Sequence, residues 1–341
     1  SATTVLGQGS ADQVLTSDGT DISWEDASGG GISGLSGLVE DNSVYLGNDP
    51  SGTTSTASYN VAVGTTALDA ITTGDKNTAI GYGSSGVLTT GASNVSIGYN
   101  SFDAAGAGSG GNYNVAVGAD ALSTATTAIY CTAIGYEAMK LATTSDYTVA
   151  IGHQAGGGAT LTTNGNVFIG ANAGVLATAP LGTVAIGQGC MDSLTEGGYN
   201  TAVGAQSLRT ITGAAYNTAI GYNAMGVATS GANNVGIGYN VGEALTTGTE
   251  NVLVGNAGGS SLTTGAKNVA LGKNSGVGTT ASQNVSVGYQ AGSSLTTGAN
   301  CIFIGYQAGL TGSPGGAITT ASNEIGFGDE NISAANIQVD W

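Results

Sequence analysis

Few residues in this chain of 341 are equipped for chemistry. His153 is the single histidine, and no cysteine or carboxylate cluster accompanies it, which argues against a metal site or acid–base catalysis. Serine and threonine are abundant, but no base is placed to activate one of them. Paired carboxylates of the glycosidase kind would have to come from neighbouring repeats. Asp69 with Asp75, or Asp192 with Glu196, are the nearest candidates. Gly-x-Gly patterns open no helix, so phosphate cradling is a false match. No cofactor is expected. One residue type does recur at a fixed site. Tyr82, Tyr99, Tyr136, Tyr222, Tyr239, Tyr289 and Tyr306 each directly follow a glycine. Aromatic faces suit sugar rings and receptor surfaces, and they equally suit neighbouring chains.

These tyrosines belong to a repeat. Its signature is Asn60-Val61-Ala62-Val63-Gly64, returning as Asn77-Thr78-Ala79-Ile80-Gly81 and onward to Gly305. Sixteen such glycines run from Gly47 to Gly305, and 12 of the 15 intervals between them are 17 residues. A fixed period of this size marks a solenoid. The residue before each glycine is always Val, Ile or Leu, and the residue two before that is always Val, Ile or Thr. These two share one face of a strand, and the residue between them faces the other way. That middle residue is Ala in nine copies, with Phe168, Leu253 and Phe303 among the larger exceptions. The pattern predicts short parallel strands stacked in register, with the branched Val/Ile faces forming the core. The small face would lie outside, where other chains could approach.

Asparagine opens 11 copies, among them Asn60, Asn77, Asn94, Asn200, Asn217, Asn234, Asn251 and Asn268. Stacked amides can bond along a ladder, so the row is read as structural. Leu-Thr-Thr-Gly recurs at 88–91, 245–248, 262–265 and 295–298 and predicts a second short strand and a turn in each coil. The expected fold is therefore all-β, a parallel β-roll or β-solenoid of about 16 repeats of 17 residues.

Three segments are expected: a β-rich connector with a Gly/Ser hinge over 1–40, the array over 41–310, and a C-terminal β segment over 311–341. In the connector, two strands are predicted around Ser17-Asp18-Gly19. Residues 102–111 and the stretch around Pro180 interrupt the rhythm and read as longer edge loops. Net charge is −17, from 22 acids and 5 bases, which opposes a nucleic-acid partner. No run of 18 apolar residues is present, so no membrane-inserting helix is expected. Cys131 and Cys301 replace Asn at the ladder position and Cys190 takes a small-residue site after Gly187; they lie too many turns apart to pair and are expected to be reduced and sheltered.

The Asn-Val-Ala-Ile-Gly type of repeat resembles the heads of trimeric autotransporter adhesins. It is similar, more closely, to bacteriophage tail-fibre proteins carrying Asn-Thr-Ala-Ile-Gly-Tyr and Leu-Thr-Thr-Gly arrays. The opening Gln13-Val14-Leu15-Thr16-Ser17-Asp18-Gly19-Thr20 also resembles phage-fibre segments. The end resembles the stretch preceding the self-cleaving chaperone of endosialidase-type fibres. This resemblance implies a left-handed roll and a homotrimer, with Phe168, Leu253 and Phe303 as wider packing points between chains. It implies a non-enzymatic virion structural protein, assembled in the host cytoplasm with other tail proteins. Its task would be attachment to a host surface glycan or protein receptor. A bacterial trimeric surface adhesin or extracellular filament subunit is the alternative, and a tailspike polysaccharide hydrolase a further one.

Overall fold

The computed structural model describes residues 13–17, 22–26, 37–40, 42–47, 50–103, 111–311, 316–329 and 331–332. The expected Gly29–Gly31 hinge and the final Ile337–Trp341 stretch lie outside the described residues. In the connector, Gln13–Ser17 pairs antiparallel with Ile22–Asp26. The array is an all-β solenoid with no α-helix among the described residues. It opens on a hairpin in which Gly37–Glu40 runs antiparallel to Ser43–Leu46. From Ser43–Leu46 to Ile325–Phe327 the chain then lays down 17 parallel strands, each hydrogen-bonded to the next. The ladder thus runs past residue 310 and takes in Ile325–Phe327, which pairs with Ile302–Ile304.

Register is kept from coil to coil. Val61 lies beside Thr78, Ala62 beside Ala79 and Val63 beside Ile80. The three-residue insertion before Val115–Val117 is absorbed in the loop, because Val95 still pairs with Val115 and Ile97 with Val117. A slip of one residue would turn every side chain to the opposite face.

The faces are the reverse of the expectation. Ala62, Ala79, Ala133, Ala202 and Ala219 are fully buried, whereas Val63, Ile80, Ile134 and Ile220 are 38–40% exposed. The small residue points into the coil and the branched pair points out. Space inside the coil explains this. A 17-residue turn encloses little volume, and that volume is already filled from the far side. Leu68, Leu122, Met139, Met191, Leu208 and Met225, each four residues after the repeat glycine, are fully buried. So are Ile71, Leu194, Ile211, Leu245 and Leu262, seven residues after it. Only a methyl-sized group fits opposite them.

The exceptions obey the same volume limit. Phe168 is fully buried, and the fourth residue after the glycine is Gly156 in the preceding coil and Gly174 in its own. A methyl group on either would come within 2.9 Å or 2.3 Å of the ring. Leu253 is matched by Gly242 and Gly259, and Phe303 by Gly292 and Gly309. Conversely, Gly236 lies under Met225, whose Cγ would be 2.8 Å from an added methyl. Phe168, Leu253 and Phe303 are therefore interior fillers, not contacts between chains. Close packing inside proteins makes such exchange of volume necessary.

The second strand predicted for each coil is also absent among the described residues. The Thr-Thr corners are stacked bends instead. There the first threonine of several pairs bonds forward with both its amide and its hydroxyl. Thr246 N–H and Oγ1–H, for instance, both donate to Thr263 O, at 2.9 and 3.1 Å.

Candidate binding surface

Each coil closes through residues in the left-handed region. In the coil around Gly221 these are Tyr216 (φ 62°), Gly221 (φ 130°), Asn223 (φ 50°) and Met225 (φ 48°). Side chains rarely adopt these angles. They persist because neighbouring coils hold the backbone on both sides. At Gly221 only glycine fits: a Cβ would sit 2.3 Å from Gly238 O.

The Asn row lies inside and is fully bonded where it is continuous. Asn234 donates its amide N–H and its Nδ2–H to Asn217 Oδ1, at 3.0 and 3.1 Å. Nδ2 also donates to Gly248 O at 2.8 Å, tying the strand to the opposite corner. Asn251 repeats the pattern on Asn234 Oδ1, and Asn268 on Asn251 Oδ1. The run Asn60, Asn77, Asn94 does the same at the other end. Asn200 heads the second run, accepting from Asn217. Cys131, Thr148 and Thr183 interrupt the row, and the Thr183 hydroxyl is buried without a partner. These asparagines are buried to within 1% of completely, so they present nothing to a ligand.

The predicted tyrosines lie outside, on the flank just beyond the strand. They stack where they are consecutive: Tyr82 on Tyr99 (ring centroids 5.5 Å), Tyr222 on Tyr239 (5.5 Å) and Tyr289 on Tyr306 (5.3 Å). Tyr136 stacks on His153 at 5.5 Å, so the lone histidine continues the row. The sequence reading missed a second row on the other flank, immediately before the Asn position. It contains Tyr59, Tyr113, Tyr130, Tyr147, Tyr199 and Tyr216, all exposed. Tyr113, Tyr130 and Tyr147 stack in succession at 5.0 and 5.2 Å. The recurring pairs Tyr59-Asn60, Tyr113-Asn114, Tyr199-Asn200 and Tyr216-Asn217 were the available signal.

Between the two tyrosine rows runs the Val/Ile strip, with no charged residue at either strand position facing out. Beside Tyr136 there is a small ionic network. Lys140 Nζ lies 2.7 Å from Glu137 Oε1 and 3.5 Å from Asp120 Oδ2. Gln154 Nε2 donates to Glu137 Oε2 at 2.6 Å. The hydrogen bonds from Lys140 and then Gln154 hold the Glu137 carboxyl well below the usual range, at about 2. A hydrogen bond to Glu137 in turn raises Tyr136.

Two of the four residues considered for catalysis have structural partners. Asp75 Oδ1 accepts from Ser58 N–H at 2.8 Å, and Asp192 Oδ1 from the Ser193 hydroxyl at 2.9 Å. All three cysteines are free and buried. Burial pushes Cys131 up to about 11 and Cys190 to about 12, so both stay protonated thiols. Among the described residues no group of three His, Cys, Asp or Glu side chains is arranged to hold a metal ion. Nor is any helix among them long and apolar enough to cross a membrane. No protein-family model, curated protein or solved structure matches the chain.

Proposed function

We propose that this chain is the rod of a phage tail fibre, a homotrimer that attaches the virion to a host cell surface. The outward Val/Ile strip carries the reading. Seventeen strands at about 4.8 Å give a strip roughly 75 Å long and two side chains wide, on the order of 600 Å². That is the upper end of what a lone soluble protein exposes, roughly 300–600 Å², and larger patches mark association. Three copies placed strip to strip would remove it from water around a common axis. Strand alignment along that axis would bring each Val or Ile against the same residue of the other copies. The trimer itself is the part of the resemblance that this surface supports.

The tyrosine rows flank the strip and repeat along the whole rod. A host glycan or protein receptor would meet the same weak site several times on each copy. Linked weak sites gain avidity without any new contact. The seven tyrosines first singled out, Tyr82 to Tyr306, and the second row on the other flank are the receptor contacts in this reading. Mass measurement of the native assembly tests it. Three times the 32.8 kDa of one chain is expected, and Ile220→Glu with Ile237→Glu should shift the population to single chains. A wild-type mass of one chain would contradict the proposal.

A further inference from the structure

One coil departs from its neighbours on the outer surface. The residues two and five after the repeat glycine carry polar or charged side chains in many coils, but after Gly81 both are glycine, Gly83 and Gly86. The flanking coils keep their side chains there: Thr66 and Asp69 on one side, Asn100 and Asp103 on the other. The result is an open notch of about 340 Å³ floored by Gly83 and Gly86 and walled by the Tyr82–Tyr99 stack. Its volume is at the lower end of small-molecule clefts, roughly 300–1,000 Å³. A methyl group at Gly83 would lie 2.4 Å from Asn100 Oδ1, and one at Gly86 would lie 3.2 Å from Asp103 Oδ1. The notch exists because both side chains are missing.

Two carboxylates face each other across it. Asp69 and Asp103 are two coils apart, a separation of about 9.6 Å by strand spacing. Asp103 Oδ1 accepts from Val87 N–H at 3.2 Å, which fixes its orientation. The ion pairs among the described residues all centre on Lys140, so neither aspartate has a cationic partner there. The lining thus combines an aromatic wall, two carboxylates and one side-chain amide, and no base. Carboxylate oxygens accept hydrogen bonds from hydroxyls strongly, and the edges of the stacked rings add an apolar contact beside them. An acidic ligand would meet two like charges.

We infer that this notch is a saccharide subsite that takes a neutral or amine-bearing pyranose and rejects acidic sugars. The inference rests on the attachment reading and adds to it the class of the ligand. It also sets this coil apart as the one in which both of these positions are glycine. The occupant is held by its hydroxyls on Asp69, Asp103 and Asn100 and lies against the ring edges of the Tyr82–Tyr99 stack.

Saturation-transfer NMR on the full chain tests this, with methyl glycosides of glucose, galactose, mannose, N-acetylglucosamine and glucosamine, and with methyl glucuronide as the acidic probe. At least one neutral or amine-bearing glycoside should receive saturation from the tyrosine rings, and the glucuronide none. Asp69→Asn and Asp103→Asn should each weaken binding about tenfold or more, as for a hydrogen bond to a charged group. Gly83→Asn should fill the notch and abolish binding. Asparagine already occupies this site at Asn100 (φ 48°) and Asn223 (φ 50°), so the fold accepts it. Asp192→Asn, at the matching site of another coil, should leave binding unchanged. Binding of the glucuronide, no binding of any glycoside, or full binding by Gly83→Asn would overturn the inference. A three-chain mass without sugar binding would overturn this subsite alone. A one-chain mass with sugar binding would overturn the trimer alone.

Discussion

At Gly204 a single methyl group decides whether two coils can stack. Its φ is +134°, and a Cβ there would lie 2.3 Å from Gly221 O, a backbone atom with nowhere to move. Gly204→Ala should therefore cost about 3 kcal/mol or more, against less than about 0.5 kcal/mol for Gly213→Ala, where nothing lies within 4 Å. Urea unfolding of the two variants checks the contrast. Glu137 makes a second prediction. Its bonds to Lys140 and Gln154 are made by the ionised form, so its folded pKa lies below the unfolded one, at about 2. The stabilisation is complete above the ordinary carboxylate range, about 4.3, and is lost as pH falls through about 2. Carbon-13 titration should place the Glu137 midpoint there, and Lys140→Met should raise it towards the ordinary value. The repeat glycines were legible in the sequence because their spacing is rigid. The other left-handed residues were not. Tyr216 and Met225 are types that give no warning of a positive φ, since inter-coil bonding rather than local preference imposes it.

At the scale of the element, the Asn ladder and the filled interior hold each coil to the next. Asn234 contributes four side-chain hydrogen bonds, two from Nδ2 and two to Oδ1. Asn234→Ala would leave the Asn251 backbone N–H, one of its two Nδ2 hydrogens and Gly248 O without these partners. A loss of about 3 kcal/mol in unfolding free energy is expected, since each unmade buried bond costs about 1–3 kcal/mol. Thr183→Asn, which restores the ladder where it is broken, should raise stability by about 1 kcal/mol. No change in either would show that the row is incidental. The ladder was readable from recurrence alone. The direction of the strand faces was not, because strict alternation defines two faces without saying which is inside. The deciding information lay outside the strand, in Leu208 and Met225 on the one hand and Gly156 and Gly174 on the other. The exchange of Phe168 against those two glycines is visible in the sequence once the positions are known to touch.

For the whole molecule, the consequence of inverting the faces is that the apolar strip becomes an outer feature, the one on which the proposed trimer rests. The same inversion moves Phe168, Leu253 and Phe303 from the surface to the interior and leaves the strip uninterrupted by bulky residues until Phe327. The period made the rod legible. The second tyrosine row and the notch at Gly83 and Gly86 depend on how coils align in space, and neither shows in one repeat alone. Inter-chain disulfide formation tests the central claim most directly. Ile220→Cys places a thiol on the strip, and Ala219→Cys places one inside the coil, while the three native thiols are buried. Oxidised Ile220→Cys should run as cross-linked chains on a non-reducing gel, and Ala219→Cys as single chains. Cross-linking through position 219 and not 220 would contradict the account.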